Sequence, residues 1–316
     1  MPDILTITLN PTVDMSTRVE QLVPGPKLRC DAPEVDPGGG GLNVSRTIRI
    51  LGGASRAFAA IGGGTGQRLA ELLREEGVDL LPFRITGETR QSLAVTEEAT
   101  GRQYRFVLPG PEWSREQADR ALTELGATVR RGSIAVLSGS QPPGVADDFV
   151  RRLAARTRVR QALLVADTSG PPLRYLADNP IGLHSLRMDA AEAEALAGHP
   201  LPERRDTADF AASLVRAGVA QVVIISRGAD GSTLADGERR LHCSRSVEGE
   251  QVRSSIGAGD SFVGAYVLAL SRGAELAEAL RLGVAAASAA VLTDATELCR
   301  REDTERLLPG CEMAEL

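Results

Sequence analysis

From residue 133 to 226 the chain alternates two kinds of apolar pattern. Short uninterrupted runs, "SIAVLSGS" (133–140), "ALLVAD" (162–167), "GLHSLRM" (182–188) and "QVVIIS" (221–226), are separated by stretches of helical spacing at 146–160, 171–178, 189–197 and 206–217. Runs that are mostly apolar without a two-residue alternation fit strands buried on both faces. Such strands alternating with helices predict an α/β fold with a mainly parallel sheet covered on both sides. A helix over 114–128 leads into the series, and "GSTLADGERRLHC" (231–243) closes it as a hairpin or meander. Two helices rich in small residues follow, "GAGDSFVGAYVLALSRG" (257–273) and "ELAEALRLGVAAASAAVL" (275–292).

The first third reads differently. "ILTITL" is a short strand ending at Asn10–Pro11, and residues 15–35 alternate weakly around three prolines, which suits short, partly exposed strands. "PGGGGLNVSRTIRILGG" (37–53) is a glycine-rich loop entering a helix, with Leu42, Ile48 and Leu51 as candidate buried positions. "SRAFAAIGG" (55–63) is a strand, and 65–77 is an amphipathic helix closed by Gly77. Strands are expected at 80–84, 91–98 and 102–108. The prediction is one domain over 1–316, carrying a small β-sheet lid built from about 12–35 and 86–108.

Composition narrows the function. The chain has 316 residues, a net charge of -6 and no basic block, which argues against nucleic-acid binding. The run "RRLAARTRVR" (151–160) reads as a solvated helix face. No apolar run reaches the roughly 20 residues that span a bilayer, and the N-terminus lacks the charged region and the cleavage site of a signal peptide. Cys30, Cys243, Cys299 and Cys311 are scattered, as reduced cytoplasmic thiols are. His184, His199 and His242 are equally dispersed, so neither a zinc site nor a histidine triad is expected.

"RSSIGAGDSFVGA" (253–265) is the strongest chemical motif. Gly257, Ala258 and Gly259 let backbone amides converge at a helix N-terminus, which suits a phosphate. Asp260, in the first turn, can take a proton from an attacking hydroxyl while those amides hold the developing charge. The run Gly38–Gly41 before Asn43 permits close approach of a ligand. It has neither the GK[ST] ending of a P-loop nor GxGxxG spacing. Asp14, Arg90, Arg105 and Lys27, the only lysine, lie in the lid segments, where a carboxylate can bond sugar hydroxyls and cations can pair a phosphate.

"TLNPTVD", "KLRC", "PGGGGLNVSR", "YRFVLPG", "SGSQPPGV", "ADTSG" and "SSIGAGDSFVGA" occur in that order over nearly the whole chain. Together they resemble the PfkB (ribokinase-like) carbohydrate kinases. The resemblance implies a ribokinase-like α/β fold and ATP-dependent phosphorylation of the C1 hydroxyl of fructose 6-phosphate. Glycine at the third position of GGGG favours this substrate, since kinases of fructose 1-phosphate and tagatose 6-phosphate usually carry lysine there. It implies Asp260 as base and the amides of Gly257, Ala258 and Gly259 as anion hole. It implies sugar contacts from Asp14, Asn43, Gly39, Gly40 and Ser140, and phosphate contacts from Arg90, Arg105 and Lys27. ATP falls to Arg187, Asp189, Ser226, Gly228, Gly231 and Ser288, and Mg²⁺ to Glu192 through water. A cytoplasmic homodimer joined through the lids is also implied.

Three departures bear on this. The family's KPNxxE is "RMDAAE" (187–192) here, so Arg187 replaces Lys and Asp189 replaces Asn. A carboxylate 4 Å from a phosphate charge costs roughly 4 kcal/mol at an effective dielectric of about 20, which a metal-ligand role for Asp189 would offset. Thr293, Ala295 and Glu297 stand where the family usually has Asn, Gly and Arg around a K⁺ site, which argues against K⁺ activation. Arg227 replaces an apolar residue and is expected near the nucleotide. The alternatives are a kinase for fructose 1-phosphate or tagatose 6-phosphate, or a regulatory homologue that binds sugar phosphate and nucleotide without turnover.

Overall fold

The computed structural model describes residues 2–294 and 296–316. In chain order the elements begin β1 (Ile4–Thr8), β2 (Thr12–Val19), β3 (Glu34–Gly38), α1 (Gly40–Ile50), β4 (Arg56–Ile61), α2 (Gly63–Glu75), β5 (Asp79–Arg84), β6 (Arg90–Glu97) and β7 (Gln103–Val107). They continue as α3 (Arg115–Thr128), β8 (Ile134–Ser138), α4 (Phe149–Val159), β9 (Leu163–Asp167), α5 (Gly170–Asp178), β10 (Leu183–Asp189), α6 (Ala190–Ala197), α7 (Arg204–Arg216) and β11 (Ala220–Ser226). The last are β12 (Ser232–Ala235), β13 (Arg240–Ser244), α8 (Ala258–Ser271), α9 (Leu276–Ala290), α10 (Arg301–Leu307) and β14 (Glu312–Glu315).

Ten strands form one sheet in the order β14-β13-β12-β11-β10-β9-β8-β1-β4-β5. From β11 to β5 all pairings are parallel, and β12, β13 and β14 add antiparallel. Every residue of β1 and β8 is buried, as expected of strands covered on both faces. One core packs α3, α4, α5 and α7 against one face through Leu122, Leu125, Leu153, Leu176 and Leu214. The other face holds Val44 and Ile48 of α1 against Phe262 and Tyr266 of α8, with the alanines of α9 behind them. Small residues allow this close packing: a Cβ on Gly264 would sit 2.7 Å from the Thr47 side chain. This is the ribokinase-like α/β architecture expected from the sequence. Two elements are unforeseen: α10, and β14, whose exposed, four-residue alternation is too short to read as a strand.

A second sheet of four strands, β3-β2-β6-β7, comes from residues 12–38 and 90–107. β2 pairs parallel to β6 and antiparallel to β3. β2 starts at Thr12, directly after Pro11, and β3 runs to Gly38, so both reach closer to the main sheet than weak alternation over 15–35 indicated. No helix among the described residues is long and apolar enough to cross a membrane.

The main sheet changes direction at β1. The chain steps from β1 to β4 and β5 on one side, and from β8 through β11 on the other. Open α/β sheets bind ligands at the carboxyl ends of strands beside such a switch. Asn10, Ser138, Asp167, Arg187 and Ser226 all stand at or just beyond those ends.

Candidate active site

The glycine run forms one wall. Gly39 has φ of +115°, a conformation that favours glycine, and α1 begins at the next residue. A Cβ on Gly40 would lie 2.4 Å from Ser138 Oγ and 2.7 Å from the Gly139 backbone nitrogen. A Cβ on Gly38 would overlap Asp14 Oδ2 at 2.0 Å. Four consecutive glycines therefore let β3 and α1 press against both Asp14 and the β8 loop. Beyond that loop, Asn10 donates to Ser140 Oγ at 3.1 Å.

Asp260 is in the first turn of α8, after Gly257 turns the chain with φ of +75°. First-turn amides lack partners within their own helix, so they face outward beside this carboxylate. Asn43 Nδ2 donates to Asp260 Oδ2 at 2.9 Å. Asp260 keeps some solvent contact but is packed around by protein. Burial, then the nearby Asp167 carboxylate and more weakly Asp14, push its carboxyl up to about 7, against the pull of Asn43 and Arg187. A carboxylate balanced at that point exchanges protons readily near neutrality.

Arg187 occupies the centre. Its Nη1 meets Asp167 Oδ1 at 3.1 Å and its Nε donates to Ser226 Oγ at 3.3 Å. A Cβ on Gly259 would lie 3.1 Å from its guanidinium, so the cation rests against the Gly257–Gly259 turn. Burial alone would lower its pKa, but Asp167, Glu192 and Asp260 raise it and keep it charged. Asp167 is the site residue without an assigned role in the sequence reading. The available signal was an acidic residue ending an apolar strand, inside "ADTSG".

Asp189 and Glu192 form a capping box on α6: Glu192 N donates to Asp189 Oδ1 and Asp189 N to Glu192 Oε2, both at 2.8 Å. The extra negative charge at Asp189 thus sits exposed at a helix N-terminus, which favours it. This is a structural use distinct from the metal-ligand role that the sequence suggested. Burial, then the Asp189 and Asp167 carboxylates, raises the pKa of Glu192.

On the second sheet, Asp14 is half-buried, and burial raises its pKa against the opposing pull of Thr12, Arg90, Ser92 and Arg105. Arg90 donates to the carbonyls of Asn10 at 3.2 Å and Leu108 at 3.4 Å, tying the two sheets together. Arg105 is exposed on β7. Lys27 is exposed in the β2–β3 loop and makes no hydrogen bond or ion pair among the described residues; nothing ties it to the rest of the site. Gly228 and Gly231 flank the turn after β11, and Ser288 is half-buried on α9.

The Arg227 guanidinium engages the start of α7 and the turn after β11. It donates to the carbonyls of Leu201 (3.0 Å), Pro202 (2.7 Å) and Glu203 (3.3 Å), to Thr207 Oγ1 and to Asp230 Oδ2 (2.9 Å). It therefore clamps the start of α7 to the turn after β11. Thr293 Oγ1 donates to the Ala290 carbonyl at 2.7 Å and lies 3.2 Å from that of Glu297, which pairs with Arg300. Ala295 lies outside the described residues.

A carboxylate poised near neutrality, beside outward-facing amides and an arginine at the carboxyl ends of a parallel sheet, defines a phosphotransferase acting on an alcohol group. The family model for pfkB family carbohydrate kinases matches residues 4–303, and the chain belongs to that family. It is 40% identical over 305 residues to ATP-dependent 6-phosphofructokinase isozyme 2 of Mycobacterium tuberculosis, covering 96% of this chain and 88% of that protein. It is 39% identical over 309 residues to the enzyme of the same description from Escherichia coli, covering 97% and 98%. Phosphofructokinase-2 from Escherichia coli, solved in complex with potassium, superposes with a TM-score of 0.92 at 36% identity, covering 98% and 99%.

Proposed function

We propose that this chain is an ATP-dependent 6-phosphofructokinase, moving the γ-phosphoryl group of ATP to the C1 hydroxyl of fructose 6-phosphate. The observation that carries the reading is Asp260: it stands in the first turn of α8, and Asn43 holds its Oδ2. In this reading Oδ1 takes the C1 hydroxyl proton as the oxygen attacks the γ-phosphorus. The bond to the β,γ-bridging oxygen breaks, and the electron pair leaves with ADP. Arg187 and the first-turn amides hold the charge that spreads over the transferred group. Asp14, Asn43, Gly39, Gly40 and Ser140 position the sugar. Arg90 and Arg105 face its phosphate, and Lys27 joins them when the β2–β3 loop folds over.

Ser226, Gly228, Gly231, Asp189 and Ser288 belong to the nucleotide side in this reading. Among the described residues no three His, Cys, Asp or Glu side chains gather to hold a metal. Glu192, with its pKa raised by burial and neighbouring carboxylates, fits a hard cation that keeps most of its water and meets the phosphates instead. Mg²⁺ held there would supply charge neutralisation. Thr293 Oγ1 lies between the carbonyls of Ala290 and Glu297, and the K⁺ arm of the assay below decides whether those oxygens also take a cation.

The whole chain acts as one domain, with the four-stranded sheet as its lid. Phe106, Val107 and Leu108, exposed along the lid's β7 edge, suit pairing with a second copy. A cytoplasmic setting fits the four unpaired cysteines. The test is kcat/KM with MgATP on fructose 6-phosphate, fructose 1-phosphate and tagatose 6-phosphate, with and without K⁺. A preference for either of the other two sugars overturns the substrate. Sugar binding without turnover makes the chain a regulatory homologue.

A further inference from the structure

Arg46 is 8% exposed, one turn after Asn43 on α1. Its Nε and Nη2 meet Glu76 Oε2 and Oε1 at 2.6 and 2.8 Å, a forked pair with the residue that follows α2. Its Nη1 donates to the Pro37 carbonyl at 2.9 Å and to Asn43 Oδ1 at 3.1 Å. Asp36 Oδ1 lies 3.9 Å away. Burying a guanidinium is costly unless its donors find partners, and packing alone would be served by an apolar side chain.

The chemistry of the chain Glu76–Arg46–Asn43–Asp260 fixes one orientation. Arginine only donates hydrogen bonds, so the Asn43 atom facing it is the carbonyl oxygen. The amide NH₂ must then face Asp260. Were the amide reversed, its oxygen would meet the Asp260 carboxylate and favour the protonated acid. We infer that Arg46, anchored by Glu76, is a positioning residue that locks the Asn43 amide so that Asp260 is held ionised, with one oxygen left free for the substrate proton. This rests on Asp260 being the base. The other charged groups around Asp260 are Asp167 on β9, Arg187 on β10 and Asp14 on β2, with Glu192 of α6 acting on Arg187. None of them touches Arg46, so a change at Arg46 reaches Asp260 through Asn43.

The experiment is the pH profile of kcat at saturating substrates for wild type, Arg46→Met, Arg46→Lys and Glu76→Gln. The inference predicts that Arg46→Met moves the acid limb up by about one pH unit, the scale of one hydrogen bond to a charge. It predicts that Arg46→Lys, which still donates to Asn43, restores most of the wild-type limb. Glu76→Gln shifts the limb the same way by less, and serves if Arg46→Met does not fold. A limb that stays in place in the folded variants, with only the melting temperature lowered, overturns the inference and leaves Arg46 a tie between β3 and α1. Asp260→Asn run alongside separates the two levels. If it retains turnover, the base assignment fails and the inference with it. If turnover is lost but the Arg46 and Glu76 limbs do not move, the positioning role fails alone.

Discussion

Asn43 and Asp260 are 217 residues apart in the chain, yet the amide nitrogen of one lies 2.9 Å from the carboxylate of the other. The contact joins the first helix after the glycine run to the helix after the GAGD turn. It opposes the burial that raises Asp260, and so sets how far above an ordinary aspartate the base titrates.

The pH dependence of activity follows from that balance. A base must be ionised, and the Asp260 carboxyl is pushed up to about 7 by burial and Asp167. We predict that kcat declines as pH falls through about 7. A profile flat down to pH 5.5 would show that the carboxyl titrates as an ordinary aspartate.

The same shift makes a stability prediction. The folded pKa lies above the usual 3.8, so the folded state binds the extra proton and loses stability as pH rises from about 4 through about 7. Asp260→Asn removes that charge. Its melting temperature should match wild type near pH 4 and exceed it by about 2 °C or more at pH 8. An equal or lower value at pH 8 contradicts the account.

Gly40→Ala sets two effects against each other. Alanine gains about 1 kcal/mol over glycine in a helix interior, and less at the first helical position that Gly40 holds. Here its Cβ would strike Ser138 Oγ at 2.4 Å and backbone at 2.7 Å, and such overpacking costs about 1–3 kcal/mol. We predict a net loss of stability and at least a tenfold rise in KM for the sugar, read by melting and by steady-state kinetics.

Arg227→Met tests the clamp. It releases three carbonyls and Thr207, and leaves Asp230 to Arg204 alone. The expected loss is about 2 kcal/mol of stability, with kcat and the KM for ATP within about threefold of wild type. A tenfold rise in the KM for ATP without loss of stability would place Arg227 on the nucleotide after all.

Much of this architecture was legible because two periods differ so plainly. Uninterrupted runs such as "QVVIIS" marked buried parallel strands, and the glycine run marked the entry to α1. β14 was not legible, since its pairing with β13 depends on a tertiary edge rather than on its own sequence. The GAGD turn announced Asp260. Asp167 lay within a quoted motif, but its proximity to Arg187 arises only when β9 and β10 pair. Arg227 read as a neighbour of the nucleotide, because the carbonyls it bonds come together only when α7 packs beside β11. Arg46 was hidden for the same reason: Glu76 becomes its partner only when α2 packs beside α1.

The most direct test of the central claim is Asp260→Asn assayed for both turnover and binding of fructose 6-phosphate. A general base contributes about 10²–10⁴ in rate. The account predicts a loss of kcat on that scale, with the sugar still bound within about threefold of wild type. A kcat within tenfold of wild type would contradict it.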